Sequence, residues 1–252
     1  ARVLPDGMTS PPAPAAPIAS DAEMMAWVRA MSGLGPRRAG SAAGHQCEDF
    51  LHDQLVGLGL TNVRKEPIAV EVWEPDEARL AVRDGATWRE LPAQWIPHCA
   101  WTPPDLEAPL VLAPPSGRGS GAWRGKIVVA EIRFPMLNAG LLERLSLGTH
   151  DPDHDIAQVR HPATWIRLGW HLYRRAAAAG ARGFIGVLRD QPGGTHKMYA
   201  PYGFKEADIL DKPLPGVWVG RAEGDRLIEL ARQGAPARLA ITGTRRTGVT
   251  HN

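Results

Sequence analysis

"PATWIRLGWHLYRRAAAAGARGFIGVLRD", Pro162–Asp190, is the stretch whose reading decides the fold. Pro162 suits a first helical turn, where its missing N–H costs nothing. Ile166, Trp170, Tyr173 and Ala177 then recur as an apolar stripe at helical spacing. Gly180 stands where a helix needs a left-handed stop. "GFIGVL" behind it is an unbroken apolar run, which reads as a buried strand. Upstream, "GKIVVAEI" (Gly125–Ile132) has the same character. Downstream come a short strand in "LPGVWVG", a helix in "RAEGDRLIELARQG" stopped by Gly234, and a closing strand in "ARLAITGT". The class is α/β or α+β.

Toward the N-terminus, "SDAEMMAWVRAMSGLG" predicts a helix capped by Ser20, with Asp21 and Glu23 in its first turn. A second helix starts near Ser41. Cys47, Phe50, Leu51, Leu55 and Leu58 fall on one face of it, and Gly57 and Gly59 end it. "NVRKEPIAVEVW" alternates as a strand through Ile68, Val70 and Val72. "ARLAVRDGATWREL" reads as a hairpin turning at Asp84-Gly85. Residues 92–121 are loop-rich around the strand "LVLAP". Residues 133–161 show no clear period and read as a long connection, with 148–161 a flexible surface loop.

The bulk composition narrows the function classes. The chain has 252 residues, 44% hydrophobic and 22% charged, as expected of a globular protein. Lys and Arg total 29 against 27 Asp and Glu, for a net charge of +2. The basic residues are scattered, which argues against nucleic acid as a partner. No apolar run reaches membrane-spanning length, so no membrane partner is expected. Cys47 and Cys99 have no zinc-finger spacing and are read as two thiols or one disulfide. The Pro/Ala-rich tail, residues 1–20, has no signal-peptide pattern. A cytoplasmic protein starting near Met8 is therefore expected, the alternative being a signal removed before Ala1.

Candidate sites emerge in three places. "GTHDPDHDIAQVRH" (Gly148–His161) offers His150, Asp151, Asp153, His154 and Asp155. The aspartates match the first ligand positions of a calcium loop. Ile156 then stands where the sharp turn needs Gly, and Pro162 where a bidentate Glu is needed. A solvated loop is the expectation, with these residues the weak metal candidates. "GHQCEDFLH" (Gly44–His52) puts Glu48 and His52 on one helical face without the H-E-x-x-H spacing of a metalloprotease, and it reads as structural. "QPGGTHKMYAPYG" (Gln191–Gly203) follows a strand end, where loops often bind ligands. His196, Lys197, Tyr199 and Tyr202 are its candidates for substrate or partner contact. "SGRGSGAWRGK" fails as a phosphate loop, having Ser120 for Gly and Ile127 for Ser or Thr. No G-x-S-x-G elbow occurs, and no catalytic constellation can be assembled.

Four segments taken in order, "GKIVVAEI", "AAAAGARGFIGVLRD", "LPGVWVGRAEGDRLIEL" and "ARLAITG", resemble the protease-associated domain. Leu214-Pro215-Gly216-Val217 stands in that domain's I-P strand, and residues 133–161 lengthen one connection. "GPRRAGSAAGHQCEDFLHDQLVGLGL" resembles the opening of zinc aminopeptidases and carboxypeptidases of the glutamate-carboxypeptidase-like family, through Arg38, Gly40, Ser41, Leu55 and Gly59. "TGVTHN" looks like the start of the strand that re-enters that family's catalytic domain.

The resemblance implies an architecture of four parts. A tail (1–20) precedes the helix pair and strand of a zinc-exopeptidase domain (21–75). A protease-associated-like β-sandwich or barrel with flanking helices (76–245) follows, then the start of the re-entry strand (246–252). It also implies that the family's zinc ligands lie beyond this sequence, and that His251 precedes the first of them. The chain is then expected to hold no catalytic residue and no cofactor, with zinc belonging to the full-length enzyme. Its partners would be peptide substrate and the catalytic domain, the latter meeting the face of Phe50, Leu51, Leu55 and Leu58. The alternatives are a stand-alone peptide- or protein-binding module and, more remotely, a metal enzyme built on the 148–161 cluster.

Overall fold

In the computed structural model, residues 19–104, 106–149, 151–158, 160–162, 170–190 and 212–252 are described. The chain divides into two units, Ala1–Glu74 with Arg245–Asn252, and Pro75–Thr244. It leaves the first within strand β1 (Pro67–Asp84) and returns within β10 (Pro236–His251).

The first unit holds helices α1 (Asp21–Gly33) and α2 (Ala42–Gly57). Ser20 caps α1 as expected: its hydroxyl accepts from Glu23 N–H, while the Glu23 carboxylate takes the Ser20 N–H at 2.8 Å. Ser41 caps α2 through Gly44 N–H at 3.1 Å. The ends of this unit's strand segments meet where Glu66 and Asn252 exchange two backbone hydrogen bonds of 3.0 Å. Neither helix is well covered: α1 has no buried residue and α2 only Gly44. Leu51, Leu55 and Leu58 are exposed and Phe50 is half-buried.

The second unit is mixed α/β. The other strands of its main sheet are β2 (Thr87–Leu91), β3 (Ala93–Trp95), β4 (Glu107–Leu112), β5 (Ile127–Ile132), β8 (Gly183–Leu188) and β9 (Gly216–Val219), while β6 (Met136–Asn138) and β7 (Arg160–Pro162) form a pair of their own. The sheet order is β2-β1-β10-β4-β5-β8-β9-β3. Strands β4, β5, β8 and β9 run parallel, and antiparallel β10 and β3 flank them. Parallel strands covered on both faces lose the polar alternation of a half-solvated sheet. β8 and β9 accordingly are buried at every position, and β5 at all but Glu131. Helix α4 (Trp170–Ala178) leads into β8, and α5 (Arg221–Arg232) joins β9 to β10. The hairpin turn falls at Gly85, with Asp84 opposite Thr87.

Four expectations are corrected. The strand read at 62–73 and the hairpin arm after it form one strand, β1, running through Pro75. Proline cannot donate to a ladder. β2 pairs with β1 only from Leu80 onward, so one side of Pro75 needs no donor. Pro162 does not open a helix: it closes β7 (Arg160–Pro162), opposite Met136 of β6 (Met136–Asn138). Residues 133–161 are not loop throughout, since α3 (Ala139–Leu145) starts at an Asn138 cap. The buried face of α4 is Leu172, Tyr173 and Ala176, with Ala177 only half-buried, so the stripe is rotated from the one read in sequence. Ile166 lies outside the described residues.

Neither cysteine is in a disulfide: Cys47 is half-buried, and Cys99 is fully buried with its Sγ 3.6 Å from the Gly216 carbonyl oxygen. No described helix is long and apolar enough to cross a membrane.

Candidate functional site

The sequence placed its contact candidates in the Gln191–Gly203 loop. His196, Lys197, Tyr199 and Tyr202 lie outside the described residues, as does His150. The neighbouring Asp151 is half-buried, and Asp153, His154 and Asp155 are exposed. The Asp151 carboxylate accepts from Asp155 N–H at 3.2 Å, and His154 has a left-handed φ of 53°. This is a small self-bonded turn, and its described residues bring no three ligand atoms together.

One group among the described residues does: His45, Glu48 and His251, whose ligand atoms lie within 4.8 Å of one another. His45 and Glu48 share a face of α2, one turn apart. His251 ends β10, 203 residues from Glu48 in sequence. Both imidazoles turn Nδ1 to the same carboxylate oxygen, Glu48 Oε2, at 2.9 Å from His45 and 2.8 Å from His251. The other oxygen, Oε1, accepts from the Thr250 hydroxyl at 2.5 Å and from His251 N–H at 3.2 Å. The two rings meet edge to face at 5.8 Å.

Electrostatics fix the carboxylate as an anion. Burial alone would raise the Glu48 pKa, but the hydrogen bonds from Thr250, His251 and His45 outweigh it and hold it down at about 2. The Glu48 side chain keeps 15% of its exposure, His251 28% and His45 41%, so the imidazoles form the outer wall. A groove of about 230 Å³ opens beside them, lined by Leu51, His52, Leu55, Val63 and His251. His52, one turn beyond Glu48 on the same helix, meets Asp53 at 3.2 Å. Only the i, i+3 relation of His45 to Glu48 was legible beforehand. Nothing local in the sequence announces that His251 joins them.

The second unit carries a wider groove of about 660 Å³ between Arg79, Trp88, Leu106, Glu107 and Arg238. Its charges are mutually satisfied: Arg238 lies over the Trp88 ring at 4.0 Å and pairs with Glu107 at 2.8 Å.

No family model matches the sequence, and no curated protein does. Solved structures match the fold. An aminopeptidase from Aneurinibacillus sp. strain AM-1 superposes with a TM-score of 0.54 at 20% identity, over 92% of this chain and 46% of that one. A peptidase M28 precursor from Shewanella amazonensis SB2B gives 0.61 at 18%, over 90% and 48%. BSAP, a zinc aminopeptidase from Bacillus subtilis, gives 0.51 at 18%, over 89% and 44%. The fold of this chain is thus one found in zinc aminopeptidases and M28 peptidases. The chain spans less than half the length of each.

Proposed function

We propose that this chain is the non-catalytic N-terminal part of a zinc-dependent exopeptidase of aminopeptidase type. In this reading Pro75–Thr244 serves as a protease-associated domain that limits or contacts the peptide substrate. The observation that carries the reading is the coverage: about nine-tenths of this chain follows less than half of each peptidase it resembles. A free-standing fold shared by chance would have no reason to account for almost the whole chain while leaving the same share of each neighbour over.

The zinc of such an enzyme does not fit the described residues. A co-catalytic pair needs several carboxylates and imidazoles, with a further acid to activate the bridging water. Here three ligand atoms converge with a single carboxylate among them, too few for a bridged pair of ions. No hydrolytic step is therefore assigned to this chain, which by itself should not cleave peptides. Its contribution is binding and exclusion. The exposed leucines of α2 are proposed to meet the catalytic part, since an uncovered apolar face of this kind marks a contact surface.

The test is to read the coding sequence downstream of Asn252 and express the complete frame. An apolar strand ending in His-x-Asp, with an acidic pair beyond it, and aminopeptidase activity of the product are expected. Deleting Pro75–Thr244 should then raise turnover of long peptides relative to an amino-acid anilide. A stop codon directly after Asn252 would overturn the reading and leave a peptide- or protein-binding module as the account.

A further inference from the structure

We infer that His45, Glu48 and His251 form a mononuclear site for a transition-metal ion of the zinc class, clipping α2 to the end of β10. The inference rests on these three residues alone and does not depend on the exopeptidase reading.

The donor set comes first. Two imidazole nitrogens and one carboxylate oxygen suit zinc and its borderline neighbours, whereas calcium and magnesium demand oxygen ligands throughout. The placement comes second. His45 and Glu48 are fixed one turn apart on α2, and His251 is fixed on a strand. Ligands on regular elements are held more closely than ligands on loops.

The distances are third. Zinc bonds near 2.1 Å place tetrahedral ligands about 3.3 Å apart. The two nitrogen-to-oxygen edges here are 2.9 and 2.8 Å. Small side-chain rotations that open these edges by about half an ångström replace two N–H···O contacts with two N–metal bonds. Each imidazole, bound through Nδ1, keeps its Nε2 for a hydrogen bond.

The surroundings supply what a ligand set needs around it. Thr250 Oγ1 and His251 N–H pin Oε1, so Oε2 alone is offered, as second-sphere hydrogen bonds do for a carboxylate ligand. Asp53 adds negative charge on the same helix, while Lys65 is already paired with Asp49. The groove beside His251 leaves a fourth position open to water.

The test uses the whole 252-residue chain, stripped with a chelator and titrated with Zn²⁺ by calorimetry and with Co²⁺ by visible absorption. One ion per chain and the d–d bands of a four-coordinate cobalt site are expected. His45→Ala, Glu48→Gln and His251→Ala should each weaken binding roughly tenfold or more. His154→Ala, which changes an imidazole outside the groove, should leave it unchanged. Zinc should raise the melting midpoint of the parent chain but not of the first three variants. Should a variant fail to fold, X-ray absorption on the zinc-loaded parent decides: two imidazoles with oxygen support the site, and an all-oxygen shell overturns it. Absence of stoichiometric binding, or binding lost only in His154→Ala, also overturns it. In that case the three residues are a hydrogen-bonded clip and nothing more.

Discussion

Gly186 of β8 stands opposite Trp218 of β9, and a methyl group on Gly186 would fall 2.2 Å from the indole ring. Both residues lie in the fully buried centre of the parallel sheet. Ile132 on β5 would lie 3.2 Å from the same methyl, which crowds it from a second side. Gly186→Ala should therefore destabilise the second unit by about 1–3 kcal/mol, the usual cost of overpacking a core. Urea unfolding followed by tryptophan fluorescence measures it. A midpoint unchanged from the parent would show that the indole can move aside.

Tyr173 makes a comparable demand through polar atoms. Its hydroxyl donates to Leu214 C=O at 2.7 Å and accepts from Leu214 N–H at 3.1 Å, all in a buried setting. The ring packs edge-on against Phe184 at 5.3 Å. Tyr173→Phe keeps that packing and strands both backbone groups, so it should cost about 1–3 kcal/mol. Amide exchange at Leu214 should accelerate more than exchange along β5. Equal protection throughout would mean that water replaces the hydroxyl.

These two sites show what the sequence made legible. The apolar runs Ile127–Ile132 and Gly183–Leu188 have one reading at their length, and both are buried strands. The caps at Ser20 and Ser41 and the stops at Gly180 and Gly234 are local chemistry, readable within four residues of chain. Long-range registers are not. Gly186 opposite Trp218 and Glu48 beside His251 depend on which strands become neighbours, and no residue near them encodes it. Pro162 was misread because proline suits both a first helical turn and a strand end, and only pairing with Met136 decides. The His45–Glu48–His251 group was hidden for the same reason, since its third member is contributed from the far end of the chain.

Acid should reach the second unit through its bidentate ion pairs. Arg226 reaches both Asp84 oxygens, at 3.1 and 2.5 Å, and so holds the hairpin end of β1 to α5. The hydrogen bonds from Arg226 exceed the small penalty of burial and hold the Asp84 carboxyl below its ordinary value. Asp225 is lowered in the same way by Arg189. A carboxyl whose folded pKa is depressed stabilises the fold above its unfolded pKa, and that share is lost as pH falls through the folded value. The parent should thus lose stability more steeply than Asp84→Asn as pH falls through and below the ordinary carboxylate range, measured as urea midpoint against pH. Parallel slopes would show that solvent screens the pair completely.

The Glu48 carboxylate binds the first unit's helix to its strand, and Thr250 isolates part of that link without touching either imidazole. The Thr250 hydroxyl donates to Oε1 at 2.5 Å, where the acceptor is ionised and its side chain retains 15% exposure. A hydrogen bond to a charged acceptor contributes about 1.5–3 kcal/mol, against about 1 for a neutral pair. Thr250→Val preserves the branched shape suited to a strand and removes only the donor, while Thr250→Ser restores it. The Val variant should therefore speed amide exchange at Asn252 and Glu66, whose mutual hydrogen bonds tie the strand ends together, and the Ser variant should not. Exchange in Pro75–Thr244 should stay unchanged in both, because the lost bond lies wholly within the first unit. Equal exchange in the Val and Ser variants would mean that His251 N–H alone suffices to hold Oε1. Glu48 would then be oriented by the backbone of β10 rather than by its side chain.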